Sequence, residues 1–449
     1  MIKFDDELKR AESLAKSEPD EALRICCSIM NEDFDGQHGQ MALFLTGYIM
    51  QEAGRHGLAY HIYERCSQLR PNVSSIYSNM GMCFDNYDER RGRKYFQKAQ
   101  LLDSNNALAY ANEALSCLQM ARPERCIELS NKALSIDPSL RSAKHNRGLA
   151  KLMLRDWRGG WADYFESLGV KHREARDYGL PNWNGEPGKV VVYGEQGIGD
   201  EIMFASCLPD IMQTNNIVLD CDARIQSLFA RSFECPVYGT RFMAETDLLD
   251  DHEPQYQCAI GQLPKFYRNT EESYPCTKYL NPDPDLSYMW GELFKTLPGK
   301  KIGIAWTGGL VGTGQKKRSF NLTDLEPLLK TNNTFVSLEY LSTDQSLLDK
   351  YGVRSYPRIT GKGCNIDDLA ALISRLDCVV TCCTAVFHIA GAVGTPCYVL
   401  TPDEPPYIMC TSGDLPWYNC VKTVRKSANE SWRSVVVRAA DLIKKADYA

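Results

Sequence analysis

The sequence predicts an α-helical repeat array followed by an α/β region made of two lobes. In the first third of the chain, the similar segments KAQLLDS and KALSIDP place Ala99 and Ala133 34 residues apart. From residue 189 onward, short β-branched runs alternate with helical stretches, and a second series of this kind begins at Lys300. Such runs indicate parallel strands in βα units. The Pro- and Asp-rich stretch between the two series predicts a lobe boundary near residue 298.

Length and charge limit the function classes. The chain has 449 residues, enough for about three domains or for two unequal ones. Its net charge of −6 provides no global field for nucleic acid or an anionic membrane, and so disfavours both as partners. The first 20 residues contain no apolar run of signal-peptide or membrane-span length. The 18 cysteines form no CxxC motif, and we expect reduced thiols in a cytoplasmic protein.

The array has the 34-residue period of tetratricopeptide repeats. Small residues alternate with large ones in a constant register, because paired helices approach closely only where side chains are small. The matching positions are Ala22, Leu43, Gly47, Ala59, Tyr63, Cys66, Pro71, Tyr77, Gly81, Phe84, Gly92, Phe96, Ala99, Tyr110, Ala114, Cys126, Ala133, Pro138, Gly148, Gly160 and Tyr164. We therefore expect four or five helical hairpins over residues 1–170. They could serve only as a scaffold, or they could form a groove that holds a partner.

In the first lobe, residues 171–298, the predicted strand KVVVY leads into GEQGIGDEIMF. Gly197 and Gly199 let the backbone come close to a ligand, and Asp200 opens the following helix. The dinucleotide fingerprint GxGxxG fails, because Ile202 stands where its third glycine would be. An aspartate at a helix start is either a cap or dipole partner, or a catalytic group.

In the second lobe, residues 299–449, two loops are candidates for binding phosphate. The Gly-rich loop IAWTGGLVGTGQKKRSFNL contains Lys316, Lys317 and Arg318, which either lie on a solvated surface or neutralise phosphoryl oxygens. In CVVTCCTAVFHIAGAVGTP a helix starts at Thr384 directly after a strand, and its free amides favour an anion. His388 lies one turn further on and is either structural or a phosphate donor.

Taken together, these loops resemble a known family. Five segments are similar to blocks of the tetratricopeptide-repeat glycosyltransferases of bacteria and phages, which are relatives of O-GlcNAc transferase and of heptosyltransferases. They are GEQGIGDEIMF, IAWTGG with the RS that follows it, IDDLAALISRLDCVVT, TAVFHIAGAVGTP, and LPWY followed by SW. The resemblance covers nearly the whole chain, including the junction from Trp157 to Tyr164. It implies a GT-B fold, in which two Rossmann-like lobes bind a nucleotide sugar mainly through the second lobe. It also implies inversion at the anomeric carbon without a metal.

The resemblance assigns roles to individual residues. Asp200 matches the proposed general base, and Lys317 matches the basic loop that holds the diphosphate, so both are expected to be catalytic. The donor-binding residues that it implies are Gln196, Gly197, Gly199, Trp306, Gly308, Lys316, Arg318, Ser337, Leu338, Asp367, Asp368, Cys383, Thr384, Ala385 and His388. The chain departs from the family at Cys383, where relatives have an aspartate, and at Phe387, where a small residue is common.

We therefore expect an inverting, metal-independent glycosyltransferase that moves a sugar from a nucleoside-diphosphate sugar to a hydroxyl of a protein. A glycan, a lipid-linked sugar or a modified nucleic-acid base is the alternative acceptor. A binding protein with a relic sugar-nucleotide fold is the alternative outside enzymes. No cofactor or metal site is expected, since the acidic pair Asp220 and Asp222 does not lie in the fold that uses D-x-D. A homo-oligomer is compatible with the sequence.

Overall fold

Helices in antiparallel succession form the N-terminal part of the chain, as the repeat period predicts. The computed structural model describes residues 2–85, 88–170, 173–243, 246–309, 314–341, 343–357 and 365–446. It divides into two units, residues 1–150 and 151–449. The expected boundary at residues 170 and 171 falls partly outside the described residues, as does part of the Gly-rich loop, residues 310–313.

The helices of this part are α1 (Ile2–Leu14), α2 (Pro19–Asp33), α3 (Gln37–Glu52), α4 (His56–Leu69), α5 (Ser74–Met82), α6 (Glu89–Leu102), α7 (Ala107–Gln119), α8 (Pro123–Ile136), α9 (Arg141–Met153) and α10 (Trp157–Phe165). The small residues of the repeat register explain their pairing. A Cβ at Gly47 would lie 2.7 Å from the Tyr63 ring, and one at Gly81 would lie 2.4 Å from the Phe96 ring. Successive hairpins therefore use the same contact between a glycine and an aromatic ring.

The first lobe is a four-stranded parallel sheet in the order β3-β2-β1-β4. Its strands are β1 (Lys189–Tyr193), β2 (Asn216–Asp220), β3 (Val237–Tyr238) and β4 (Tyr256–Ala259). Its helices are α11 (Ile198–Ala205), α12 (Leu208–Ile211), α13 (Gln226–Ser232), α14 (Leu248–His252) and α15 (Pro264–Tyr267). The β-branched runs predicted β1 and β2, whereas β3, which is two residues long, and β4, which has no β-branched residue, were not predicted.

Helix α16 (Pro284–Lys295) leads to the second lobe, a six-stranded parallel sheet in the order β10-β9-β8-β5-β6-β7. Its strands are β5 (Lys301–Ala305), β6 (Thr334–Ser337), β7 (Val353–Arg354), β8 (Cys378–Thr381), β9 (Cys397–Thr401) and β10 (Val421–Arg425). Its helices are α17 (Gln315–Arg318), α18 (Glu326–Leu329), α19 (Gln345–Lys350), α20 (Ile366–Ile373), α21 (Ala385–Val393) and α22 (Trp432–Lys445).

The predicted fold class is confirmed: helical repeats are followed by two Rossmann-like lobes with parallel sheets, as in a GT-B fold. Two turns lead from a central strand directly into a helix, the first from β1 into α11 and the second from β8 into α21. In parallel sheets, the loops at the carboxyl ends of the strands line the ligand crevice. Among the helices of the described residues, none is both long and apolar enough to cross a membrane.

Candidate functional site

The two lobes meet where the N-terminal turns of α11 and α21 pack together. A Cβ at Gly199 would lie 3.1 Å from Cδ2 of His388 and 3.3 Å from Cα of Ala385, so only glycine allows this approach without displacement. Because each helix follows a central strand, the carboxyl ends of β1 and β8 face one another here. We call this region, together with the segments 306–309, 314–318 and 402–410 beside it, the interlobe site.

Asp200 lies in the first turn of α11 and is partly buried. Burial raises the pKa of its carboxyl to about 6, and the negative charge of Glu195 adds to this effect. A hydrogen bond from the backbone of Gly197 and the charges of Arg318 and Arg241 act in the opposite direction. With this pKa, Asp200 is mostly ionised at neutral pH and is a stronger base than an ordinary aspartate, as general-base chemistry requires.

A buried network holds the turn that precedes Asp200. Glu195 is fully buried and accepts hydrogen bonds from Arg173 Nη2 at 3.4 Å and from the Gly261 amide at 3.3 Å. Gln196 Nε2 donates to the same carboxylate at 3.1 Å, and Tyr164 donates its hydroxyl hydrogen to Gln196 Oε1 at 3.0 Å. The Gln196 side chain is therefore held at both ends, and the charge of Glu195 is paired.

Glu201 has a separate role from its neighbour Asp200. Its carboxylate is buried, pairs with Arg241 and accepts the Asp222 amide at 3.1 Å. Burial raises its pKa to about 7, although Arg241 opposes this shift. A Cβ at Gly194 would lie 2.3 Å from Cδ of Glu201, so Gly194 provides the space for this carboxylate. The glycine at the start of the turn from β1 into α11 is thus a structural requirement of the Glu201–Arg241 pair.

The basic segment of the second lobe comes to the same site. Arg318 Nη1 donates to the Cys383 carbonyl at 3.3 Å, next to the start of α21, and its charge lowers the pKa of Asp200. A Cβ at Gly308 would lie 2.6 Å from Cβ of Arg318, so Gly308 allows the segment to fold back on its strand. Lys317 Nζ lies 3.0 Å from Oε2 of Glu404, while Lys316 is exposed.

At the start of α21, Thr384 occupies the N-cap position, but its side chain makes no capping hydrogen bond. His388 is buried, and its Nδ1 lies 3.0 Å from the Tyr418 hydroxyl. Burial lowers the pKa of His388 to about 3 and raises that of the Cys383 thiol to about 12. Both side chains are therefore neutral near pH 7. The ring of Phe387 is buried against His388, with 3.8 Å between the ring centroids.

Other expected donor-binding residues lie in the core of the second lobe. The Trp306 side chain belongs to the apolar core cluster around β5, and Ser337 and Leu338 are 1% exposed. The backbone amides of Trp306 and Thr307 donate to Glu339 Oε1 at 2.6 and 2.8 Å. Glu339, which the sequence analysis did not select, thus fixes the turn that leads into the basic segment.

Asp367 and Asp368 lie in the first turn of α20 and have protein partners. Asp367 pairs with Arg231 of the first lobe. Asp368 is fully buried and accepts a hydrogen bond from Trp290 Nε1 at 2.7 Å. Among the described residues, no contact joins Asp367 or Asp368 to Asp200.

The acidic pair at the end of β2, Asp220 and Asp222, has structural roles. Asp220 is fully buried and accepts from Arg176 Nη1 at 2.8 Å, the Tyr178 hydroxyl at 2.6 Å and the Thr240 amide at 2.9 Å. Asp222 caps the 3₁₀ turn that follows and pairs with Arg224. Within the described residues, no group of three or more His, Cys, Asp or Glu side chains is arranged to hold a metal ion.

Aromatic residues of α10 contact both the first lobe and residues 410–420 of the second lobe. Trp161 Nε1 donates to the Tyr274 hydroxyl at 3.1 Å, and Trp157 Nε1 donates to Glu271 at 2.8 Å. The ring of Trp417 packs edge-on against those of Trp161 and Tyr274. This junction, which the sequence singled out, places Tyr164 in the interlobe site.

Comparison with known proteins showed likenesses in sequence and in structure. The chain is 26% identical over 425 residues to Protein FlbA of Caulobacter vibrioides, covering 88% of this chain and 71% of that protein. E. coli ADP-heptose lipopolysaccharide heptosyltransferase II aligns over 57% of this chain and all of its own, at 12% identity and a TM-score of 0.42. A thermophilic TPR protein of Thermus thermophilus aligns over 37% of this chain and 90% of its own, at 15% identity and a TM-score of 0.32. No protein-family model matches the chain.

Proposed function

We propose that this protein is an inverting glycosyltransferase that moves a sugar from a nucleoside-diphosphate sugar to a hydroxyl of a protein acceptor, without a metal ion. The observation that carries this proposal is the interlobe site itself. There a carboxylate of raised pKa, Asp200, lies within the electrostatic influence of Arg318 from the other lobe. Such a site offers a base for an acceptor hydroxyl on one side and a cation for a leaving phosphate on the other.

The chemistry follows from these two sides. Asp200 takes the proton of the acceptor hydroxyl while the oxygen attacks the anomeric carbon, and the bond from that carbon to the diphosphate oxygen breaks on the opposite face. Negative charge develops on the leaving phosphate. Arg318, Lys317 and the uncapped amides of α21 would stabilise this charge, since donors aimed at developing charge contribute most to such catalysis. Neutral His388 and Cys383 could donate hydrogen bonds to the donor but add no charge to it.

The protein acceptor is supported by the first unit. Its helices enclose a groove of about 440 Å³ whose lining combines apolar side chains, such as Phe44 and Ile76, with the charged side chains of Glu12 and Arg70. A mixed lining of this kind suits a polypeptide better than a small sugar. The proposed compartment is the cytoplasm, in agreement with the free thiols of every cysteine that the structure describes.

The first test is binding. Thermal stability is measured with uridine, guanosine, adenosine and cytidine diphosphates in metal-free buffer, for the wild type and for Lys317→Ala. A nucleotide at about 100 times its Kd stabilises the folded state by about 2.7 kcal/mol. We expect one nucleotide to stabilise the wild type and to stabilise Lys317→Ala less. Failure of all four would favour the binding-protein alternative over the enzyme.

The second test is transfer. A sugar nucleotide with the base that stabilised the protein in the first test is labelled in its sugar. It is incubated with the purified protein and, in separate reactions, with protein, glycan and DNA fractions as acceptors. Label in the protein fraction is expected, and it should be lost in Asp200→Asn while the nucleotide still binds. Losing one contact to the developing charge costs on the order of 3 kcal/mol in the barrier, so Lys317→Ala should transfer about 100-fold more slowly. Label in DNA or glycan alone would contradict the protein acceptor.

A further inference from the structure

A row of three side chains joins the start of α21 to α11 of the first lobe. Nδ1 of His388 lies 3.0 Å from the Tyr418 hydroxyl, which lies 3.4 Å from the hydroxyl of Tyr279. The Tyr279 hydroxyl donates to the carbonyl of Ile202 in α11 at 2.7 Å. Because a carbonyl oxygen can only accept, the hydrogen of Tyr279 is committed to that bond. The hydrogen of Tyr418 then decides how His388 is protonated.

The distances show where the Tyr418 hydrogen points. Hydrogen bonds from a hydroxyl to an oxygen are about 2.5–3.0 Å long, so the 3.4 Å to Tyr279 is too long for a good one. Nδ1 of His388, at 3.0 Å, is the nearer acceptor. Burial keeps the imidazole neutral near pH 7 by lowering its pKa, and a neutral imidazole carries one hydrogen. With Nδ1 as the acceptor, that hydrogen is on Nε2.

The Nε2 edge of the ring faces the other lobe. Cδ2, which is bonded to Nε2, would lie 3.1 Å from a Cβ at Gly199, in the first turn of α11 that also contains Asp200. Among the residues that the structure describes, His388 makes its side-chain hydrogen bond through Nδ1. The hydrogen on Nε2 is therefore available to a ligand in the interlobe site.

Packing fixes Tyr418 in the position that this contact needs. Its side chain is 1% exposed, and its ring stacks on that of Tyr279 with 6.5 Å between centroids. A Cβ at Gly391 would lie 2.4 Å from the Tyr418 ring, so glycine one turn after His388 leaves the room that the tyrosine occupies. The hydroxyl is thus placed by the core of the site, and it holds the imidazole from behind.

The groups around this part of α21 suit an anion. His388 lies one turn after Thr384, where the helix begins without a side-chain cap. Arg318 donates to the carbonyl of Cys383, directly before that start. Helix-start amides and a guanidinium favour a negatively charged ligand. A further N–H donor on the same helix fits the diphosphate of a sugar nucleotide better than the neutral hydroxyl of an acceptor.

We propose that Tyr418 is a positioning residue, which holds His388 with its hydrogen on Nε2 so that the imidazole donates to an oxygen of the donor's diphosphate. This inference rests on the proposed function. When the bond from the anomeric carbon to the diphosphate oxygen breaks, its electron pair stays on that oxygen. The hydrogen bond from Nε2 stabilises the added charge. The hydrogen remains on His388, so the proton that Asp200 accepts is the one that moves.

The protonation of His388 can be measured in the free protein. In a sample labelled with ¹⁵N-histidine, the protonated and unprotonated nitrogens of a neutral imidazole have well-separated shifts, and His388→Ala identifies its signals among the seven histidines. We expect the hydrogen on Nε2 in the wild type. Tyr418→Phe removes the donor to Nδ1 and should move both shifts toward values averaged over the two tautomers. Tyr279→Phe is the matched control, because its hydroxyl bonds Ile202, and it should leave the His388 signals unchanged.

Nucleotide binding connects this protonation to function. The probe is the nucleoside diphosphate that stabilises the wild type most, and its Kd is measured by calorimetry. We expect Tyr418→Phe to bind it several-fold more weakly and Tyr279→Phe to bind it as the wild type does. In a His388→Ala background, Tyr418→Phe should cause no further loss, because a residue that acts through His388 is not additive with it.

Several outcomes would overturn the proposal. A wild type with the hydrogen of His388 on Nδ1 would contradict it directly, as would a Tyr418→Phe spectrum equal to that of the wild type. An unchanged Kd in Tyr418→Phe, or the same loss of affinity in Tyr279→Phe, would leave Tyr418 with a purely structural role. A wild type that holds the hydrogen on Nε2 but binds no nucleoside diphosphate is a different failure, because it refutes the proposed function itself.

Discussion

Replacing Asp200 with asparagine should make the protein more stable and less active at the same time. Burial holds the pKa of Asp200 near 6 in the folded protein, against 3.8 for an ordinary aspartate. Its ionised form is therefore disfavoured by folding. Each pKa unit corresponds to about 1.4 kcal/mol, so ionised Asp200 destabilises the folded state by about 3 kcal/mol. Asparagine keeps the acceptor oxygen for the Gly197 amide without carrying the charge.

The stability difference between Asp200→Asn and the wild type should depend on pH. Below about pH 4 both the folded and the unfolded wild type hold the proton, and the variant should have no advantage. As the pH rises to about 7, the wild type alone bears the cost of ionisation, so the difference should grow and then level off. Transfer should fall by a factor of about 10² to 10⁴ in the variant, as for loss of a general base.

Tryptophan fluorescence is the suitable probe, because all seven tryptophans lie in the second unit, residues 151–449, and none in the first. They are Trp157, Trp161, Trp183, Trp290, Trp306, Trp417 and Trp432. Urea unfolding followed by this signal between pH 5 and 8 thus reports on the second unit, which contains α10 and the two lobes. A variant no more stable than the wild type at pH 8, or an advantage independent of pH, would refute the reasoning.

Asp222→Asn is the matched control. Burial acts to raise the pKa of Asp222, but its hydrogen bonds and ion pair with Arg224 outweigh this and lower the pKa overall. Here the ionised form stabilises the folded state, and the contribution is lost as the pH falls through the folded pKa. We therefore expect Asp222→Asn to be less stable than the wild type at pH 8, opposite in sign to Asp200→Asn.

Three further predictions concern the same site. Glu404→Gln removes the carboxylate that pairs with Lys317 at 3.0 Å, and calorimetry should show that the variant binds a nucleoside diphosphate several-fold more tightly. Asp403→Asn is the control and should leave the Kd unchanged. Equal Kd values for both variants would count against Lys317 as a phosphate ligand. Gly199→Ala should lower stability by about 1–3 kcal/mol through overpacking against α21, while Gly197→Ala, whose nearest new contact is 3.4 Å away, should unfold like the wild type. Chelation with EDTA should leave the transfer rate unchanged, and a loss restored by a divalent cation would contradict the metal-free mechanism.

Much of the fold could be predicted because its signals are local. The 34-residue spacing and the small residues at Gly47 and Gly81 indicated paired helices, and the structure shows each glycine against an aromatic ring. The sequence analysis missed β3, β4, β7 and β10, and the last of these, VKTVR, was missed although it is rich in β-branched residues. The local signal is weak for β3 and β7, which have two residues each and whose pairing depends on the neighbouring strand.

The site could be predicted in part. Asp200, Arg318 and Thr384 follow the ends of central strands, and the topology of parallel sheets alone suggested that such segments converge. The partners of these residues could not be predicted, because they come from distant parts of the chain. Glu404, which pairs with Lys317, lies 87 residues further along.

By itself, the sequence determined the repeat array, the two βα series and the turns that start α11 and α21, because spacing, glycine and helix-start preferences act over a few residues. Only the tertiary structure decided the chemical state of the site. The raised pKa of Asp200 and the neutral state of His388 depend on burial, and the pKa of Asp200 depends also on the charge of Arg318 in the opposite lobe. Desolvation and electrostatic coupling are properties of the folded surroundings, and a linear pattern of residues does not contain them.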